Sequence, residues 1–493
     1  MFSDFTLPEL DQVLQKSRQA FVAYRQLSTR QRAAFLRAIA TELEKCGDQL
    51  LHTAMQETHL PEARLRAERS RTLYQLTSYA DACERGDWME ISIEPADDTR
   101  MPPRPDLRKM RVPLGPVVVF GASNFPLAYS TAGGDTASAL AAGCTVVVKA
   151  HPAHPRTSHL VADAILNASA YLNMPEGVFQ HVYGAGFETG KYLVQHPYTC
   201  AVGFTGSRSG GKQMFDWAME RPHPIPVFAE MGSINPVFLF PYKLAADPGA
   251  TASMYAASIT LGVGQYCTNP GLLIGVEGMA LQQFMHDLGR CIQQVLPAPM
   301  LHPGIVAAYK QNKGAAILQE GVHLVAESEG DVQAGDGLPT VATVDAVTFL
   351  SNPLLHQEVF GPFSLVVRCK DMDQMLQVAG RIEGQLTATI MATPQETQSY
   401  AALIDAIRQI CGRIIYNGVP TGVEVCTSMQ HGGPWPATTD SRFTAVGGDA
   451  LARFARPLCY QGWPNDLLPD ALKNENPLAL NRRINNEWTR AAI

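Results

Sequence analysis

The chain is 493 residues long, 46% hydrophobic and 17% charged, enough apolar sequence to build the cores of two or three domains. A net charge of −7 and a pI of about 6.0 argue against a nucleic-acid or polybasic membrane role, because both need a dense positive footprint. The opening MFSDFTLPELDQ has no apolar h-region and no uncharged apolar run of ~18 residues occurs, so neither a secretory signal nor a membrane span is predicted and a cytoplasmic protein is expected.

Residues 8 to about 85 read as helices. Ser28 opens one of them with a Ser-x-x-Gln pattern to Gln31. Phe35, Leu36, Ile39, Ala40 and Leu43 then recur at three-to-four spacing, which predicts a helix as far as Lys45. Residues 86–112 carry a few alternating positions, Ile91 and Ile93, then Pro102, Pro103, Pro105 and basic side chains, and read as an extended arm or hairpin. From 116 the pattern changes. PVVVF at 116–120, TVVVK at 145–149, and runs at 178–182, 200–204 and 225–229 read as strands, with helices over 127–143, 156–172, 188–195 and 209–219 between them. Short, uniformly apolar strands separated by helices imply a parallel sheet covered on both faces, a doubly wound Rossmann-like unit. A second such unit follows. A small-residue helix at about 247–262 ends at Gly262 and Gly264. Strands near 271–276, 363–368, 386–392 and 412–416 then alternate with helices near 280–295, 371–381 and 394–409. The tail after about 435 is rich in Pro, Gly, Asn and Asp and is expected to pack on a neighbouring subunit.

In open parallel sheets ligands bind at the carboxyl ends of the strands. Gly121-Ala122-Ser123-Asn124-Phe125-Pro126 follows the first such strand, Lys149 ends the second, and Thr205-Gly206-Ser207 follows the strand at 200–204 and opens a helix, where a pyrophosphate would find free amides. Gly184-Ala185-Gly186 and Gly190 have GxGxxxG spacing, which alone is a weak signal that tight turns explain as well. Ten cysteines stand at 46, 83, 144, 200, 267, 291, 369, 411, 426 and 459. With no CxxC pair, neither a structural zinc site nor a disulfide scaffold is expected, and reduced thiols fit better.

Together with Phe228-Ala229-Glu230-Met231-Gly232-Ser233, Gly264-Gln265-Tyr266-Cys267-Thr268-Asn269-Pro270 and Glu358-Val359-Phe360-Gly361-Pro362, these loops resemble those of the aldehyde dehydrogenase superfamily, in the same order and over nearly the whole chain. VVKAHPAHP at 147–155, AEMGSINPVF at 229–238 and HGGPWPATTDSRF at 431–443 are similar to the subfamily of α-ketoglutarate-semialdehyde (2,5-dioxovalerate) dehydrogenases, which also includes NADP-dependent fatty-aldehyde enzymes. The resemblance implies an α/β fold of two doubly wound parallel-sheet domains plus a small oligomerisation arm. Residues 1–88 and 113–232 would bind the dinucleotide, 233–436 would carry the nucleophile, and 89–112 with 437–493 would form the arm and tail of a homodimer or homotetramer.

It also implies roles. Cys267 would attack the aldehyde carbon; a thiol is a small fraction thiolate at neutral pH, but the thiolate is intrinsically very nucleophilic. Asn124 and the Cys267 amide would receive the oxyanion. Glu230 would activate the water that hydrolyses the thioester, which favours hydrolysis over transfer to coenzyme A. Cofactor contacts are implied at Ser123, Lys149, Gly206, Ser207, Met231, Glu358 and Phe360. Where many NAD-preferring members carry K-P-x-E, this chain reads Lys149-Ala150-His151-Pro152. The missing carboxylate would permit a 2′-phosphate and Arg208 could pair with it, so NADP, or both NADP and NAD, is the expected cofactor. His151 and His154 stand three apart without an acidic or thiol partner nearby, and no metal is expected. The small-molecule substrate expected is α-ketoglutarate semialdehyde. A medium- or long-chain aldehyde is the alternative, with a coenzyme-A-acylating enzyme and a non-catalytic member of the fold as further readings.

Overall fold

The computed structural model describes residues 2–493. The chain opens with four helices, α1 (Leu7–Tyr24), α2 (Thr29–Lys45), α3 (Gly47–Thr58) and α4 (Glu62–Arg85), and two strands of the arm, β1 (Ser92–Glu94) and β2 (Leu107–Pro113). The first wound unit follows: β3 (Val117–Phe120), α5 (Gly134–Ala142), β4 (Val146–Lys149), α6 (Pro155–Tyr171), β5 (Phe179–Val182), α7 (Phe187–Gln195), β6 (Ala201–Thr205), α8 (Arg208–Met219) and β7 (Val227–Glu230). The second contains β8 (Val237–Leu239), α9 (Pro241–Ala246), α10 (Pro248–Thr260), β9 (Leu272–Val276), α11 (Met279–Gln293), β10 (Ala298–Pro299), α12 (Pro303–Ile317), β11 (His323–Glu327), β12 (Asp336–Gly337) and β13 (Thr340–Asp345). It continues through α13 (Ala346–Ser351), β14 (Phe363–Cys369), α14 (Met372–Ala379), β15 (Gln385–Met391), α15 (Pro394–Ser399), α16 (Ala401–Ile410) and β16 (Cys411–Tyr416). The tail adds β17 (Ala455–Gln461), β18 (Arg482–Ile484) and β19 (Glu487–Thr489).

The first sheet is parallel throughout, in the order β5-β4-β3-β6-β7. Its uniformly apolar strands have a simple reason. Val117, Val119, Val146 and Val148 face a core shared with α2, α4, α5 and α6, while Val118, Val147 and Val202 face a second core under α1, α7 and α8. The second sheet runs β11-β13-β14-β9-β8-β15-β16, with only β11 antiparallel, and is sandwiched in the same way. At the helical start, Ser28 Oγ accepts the Gln31 amide at 3.2 Å and Gln31 Oε1 accepts the Ser28 amide at 2.9 Å, the reciprocal cap that the sequence predicts.

One expectation needs correction. The helix expected from 127 begins only at Gly134, because the Leu127 and Ala128 amides donate to Glu68 Oε1 at 2.8 and 3.0 Å, so 122–133 forms a turn under α4 instead. β8, β11, β13 and α12 went unread; β8 has three residues, too few to show a period. Within the chain, the tail packs on its own arm. β17 pairs antiparallel with β2 from Ala455–Pro113 to Gln461–Leu107 and β18 runs parallel to β1, giving the sheet β17-β2-β1-β18-β19. Leu468, Ala471, Leu472 and Leu480 enter the same core as α2 and α4. Among the described residues no helix is long and apolar enough to cross a membrane.

Candidate active site

The carboxyl ends of β3, β4, β6 and β7 open onto one cleft, a cavity of about 580 Å³ closed on its far side by the second unit. Ser123, Asn124, Lys149, Gly206, Ser207, Glu230, Met231, Cys267, Glu358 and Phe360 all line it. Residues from 123 to 360 therefore converge because β3, β4, β6 and β7 end in register: Phe120 opposite Lys149 and Phe204, Thr205 opposite Glu230.

Cys267 sits just past a strained bend. Gly262, Val263 and Gly264 all have left-handed backbone, with φ of 55°, 57° and 64°, and a β-branched residue adopts that region only under constraint. The constraint is close packing: a Cβ on Gly264 would lie 2.2 Å from the Gly361 carbonyl carbon. Asn235, itself at φ 47°, fixes the other side. Its Nδ2 donates to the Cys267 carbonyl and to the Asn269 carbonyl, each at 2.9 Å, and its Oδ1 accepts from Ser233 Oγ at 2.9 Å and Thr387 Oγ1 at 3.0 Å. The Cys267 amide has no protein acceptor among the described residues. Asn124 Nδ2 donates one hydrogen to the Gln265 carbonyl at 3.1 Å, keeping a second N–H for the cleft, and Arg64 Nη2 donates to the Asn124 carbonyl at 2.7 Å.

Glu230 ends β7 and is 5% exposed. His431 Nε2 donates to its Oε1 at 3.1 Å and lies 3.7 Å from Cys267 Sγ; Oε2 has no partner. One donor atom from each of the three lies within 4.8 Å of the others, a spacing suited to proton exchange. Burial alone would raise the Glu230 carboxyl, but the charge and hydrogen bond of His431, with help from Cys267 and Arg453, hold it below the ordinary range. Burial and the adjacent Glu230 carboxylate push the Cys267 thiol well up. Sequence reasoning missed His431. It lay inside a quoted segment, but a histidine in a Gly-Pro loop 164 residues from the cysteine carries no local signal.

The cofactor side fits a dinucleotide. Ser207 caps α8 by accepting the Gly210 amide at 3.2 Å, which leaves the Arg208 and Ser209 amides unspent at the helix start. Burial lowers Lys149 from the usual lysine range. Burial raises Glu358 to about 7, against an opposing Ser233 amide bond, and a Cβ at Gly232 would stand 2.6 Å from its Oε2. Arg208 departs from expectation. It lies outside the cleft lining and donates Nη1 to Glu383 Oε2 at 2.6 Å, because its side chain leaves the first turn of α8 toward the start of β15. His151 and His302 line the cleft near Lys149. The His151 ring stacks on His154 at 5.3 Å, and His154 Nε2 donates to the Ala122 carbonyl at 3.1 Å.

The sequence profile of the aldehyde dehydrogenase family matches residues 2–435. The chain is 49% identical over 478 residues to the alpha-ketoglutaric semialdehyde dehydrogenase 2 of Azospirillum brasilense, covering 96% of this chain and 90% of that protein. It is 44% identical over 491 residues to the alpha-ketoglutaric semialdehyde dehydrogenase of Acinetobacter baylyi, covering 99% and 93%. Among solved structures, a 1-pyrroline-5-carboxylate dehydrogenase from Thermus with bound NAD superposes with a TM-score of 0.79 at 22% identity, over 93% of this chain and 86% of that one, a likeness of fold.

Proposed function

The chain belongs to the aldehyde dehydrogenase family, and from that premise we propose that it oxidises α-ketoglutarate semialdehyde (2,5-dioxopentanoate) to 2-oxoglutarate, with NADP or NAD, through Cys267. The observation that carries the mechanism is the meeting of Cys267, Glu230 and Asn124 at one end of the dinucleotide-sized cleft. Sγ adds to the aldehyde carbon, its proton passing to Glu230 and from there to solvent before the second half of the reaction. The charge that builds on the carbonyl oxygen is met by the free Cys267 amide and the second Nδ2–H of Asn124. A nicotinamide held in the cleft by these residues would supply the acceptor for the hydride on the substrate carbon. Cys267 is left as a thioester. His431 holds Glu230 by Oε1, which leaves Oε2 free to take a proton from water as that water attacks the thioester carbon. The C–S bond breaks, the proton held on Glu230 returns to sulfur to restore the thiol, and the acid departs as its carboxylate with its proton lost to solvent. Acyl transfer to coenzyme A is not required.

Lys149 would hold the adenosine ribose, Gly206 and Ser207 the pyrophosphate and Glu358 the nicotinamide ribose, with Ser123, Met231 and Phe360 alongside. NADP use, alone or beside NAD, is supported by Pro152 standing where a ribose-binding glutamate would repel a 2′-phosphate and by the imidazoles of His151 and His302 lining that end of the cleft. Arg208, engaged by Glu383 in an exposed pair, would have to exchange partners to contribute. The protein is proposed to be cytoplasmic and a homodimer or homotetramer. A panel of 2,5-dioxopentanoate, pentanal and dodecanal, each with NADP and NAD, tests the reading. The expected outcome is the highest kcat/KM on 2,5-dioxopentanoate with 2-oxoglutarate as product, coenzyme A having no effect; a best kcat/KM on dodecanal would select the fatty-aldehyde alternative.

A further inference from the structure

Beside Cys267 on the side away from the dinucleotide stands a set of rings: Phe125 against Tyr129 at 5.3 Å, Phe125 against Tyr266 at 5.5 Å and Tyr129 against His431 at 6.1 Å. Arg71 lies against this wall, 5.6 Å from the Tyr129 ring centroid, and a second cation, Arg413, shares a turn with it. Arg71, from α4, donates Nη2 to Tyr129 Oη at 3.2 Å and Nη1 to the Val423 carbonyl. Arg413, from β16, donates Nη1 to the Gly422 carbonyl at 2.9 Å and Nη2 to the Pro420 carbonyl at 2.7 Å. Both therefore grip the 420–423 turn, whose chain runs on to His431.

Neither guanidinium forms an ion pair with a carboxylate among the described residues, and the Nε–H of each is buried without an acceptor. Their charges reach the nucleophile: Arg71 opposes the upward push on the Cys267 thiol, and Arg413 is influenced by Cys267 and Tyr129. A third cation, Arg64, is accounted for otherwise. It lies 4.6 and 4.7 Å from the Phe125 and Tyr266 rings and 3.9 Å from Glu68 Oε2. Both side chains are partly buried, and a partly desolvated positive charge without a counter-ion carries a cost that an anion arriving with the substrate would relieve. An alkyl chain laid against the same groups would leave that cost standing.

We infer that Arg71 and Arg413 form the subsite that recognises the distal carboxylate of an oxo-acid aldehyde while its aldehyde carbon lies at Cys267. The inference rests on the proposed acidic-semialdehyde substrate.

The test compares kcat/KM on 2,5-dioxopentanoate with kcat/KM on pentanal, within one preparation, for the wild type and for Arg71→Met, Arg71→Lys and Arg413→Met. The ratio should fall on the order of 10- to 100-fold in each methionine variant, mainly through KM, the usual size of a lost charged hydrogen bond. Arg71→Lys should recover part of it. A misfolded fraction lowers both rates and leaves the ratio intact, so a ratio unchanged in both methionine variants overturns the subsite while the wild-type preference still upholds the substrate. A wild type that prefers pentanal overturns the substrate reading and the subsite with it.

Discussion

Glu230 and Cys267 are a coupled pair at the scale of single residues, and the coupling has a sign. The Cys267 thiol is raised first by burial and then by the carboxylate beside it, so the thiolate forms only on the alkaline side of the ordinary thiol range. Inactivation by iodoacetamide should accelerate with pH to a midpoint above that range. Glu230→Gln removes the second cause and keeps the first, so the midpoint should move down yet stay elevated, while kcat falls on the order of 10²- to 10⁴-fold for want of the base. An unmoved midpoint would show that the carboxylate is not in electrical contact with the sulfur. Glu358 supplies a second pH dependence. Raised to about 7, it is neutral below that pH and ionised above it. A ribose hydroxyl donates better to the ionised form, so the cofactor Kd should weaken as pH falls through 7, and Glu358→Gln should flatten the profile. Linkage has the opposite sense for the free protein. A carboxyl whose folded value is raised contributes stability that is complete below the ordinary carboxylate range and lost as pH rises through about 7. That Cys267, Glu230 and Asn124 meet in one cleft was legible because each is a residue type with its own chemistry in a recognisable segment. His431, Tyr129, Arg71 and Arg413 were not, since their significance lies in what they touch.

Among the elements, the bend at 262–264 does the positioning. Gly264→Ala would combine a left-handed backbone with a Cβ 2.3 Å from the Gly361 carbonyl oxygen. Either the 264 segment or the 361 segment must shift, and both border the cleft. The expected result is a loss of stability of about 2 kcal/mol or more, read by thermal unfolding, together with a fall in kcat larger than the lost folded fraction explains. Normal kcat in the folded fraction would mean that the bend is tolerant. Long elements were readable and short ones were not. α2 declares itself by its cap and apolar spacing, but β8, with three residues, offers no period to detect. The segment 127–133 looked helical because alanine and leucine favour helix. The Glu68 carboxylate captured its amides, an effect that originates in another helix.

For the whole molecule, the arm and tail close a sheet within one chain. Ending the chain at Phe454 would remove β17, β18 and β19, leave β2 and β1 paired only with each other and uncover the core filled by Leu468, Leu472 and Leu480. Such a truncation should be recovered mainly as aggregate, because an unpaired flat edge beside exposed apolar surface templates association. A soluble, active truncated protein would show that the tail is an appendage. Light scattering on the intact chain would give the oligomer directly, with two or four copies expected.

What the sequence alone determined was the alternation of strand and helix, and so the edge of the first sheet at which Asn124, Lys149, Gly206 and Glu230 had to emerge. Period and turn chemistry are local properties that hold wherever the segment lands. The tertiary structure decided which loops meet across that edge. It set His431 on Glu230 over 201 residues of separation, gave Arg208 to Glu383 in place of the cleft, and folded the tail onto the arm. Contacts of that range depend on how whole layers stack, and no window along the chain contains both partners.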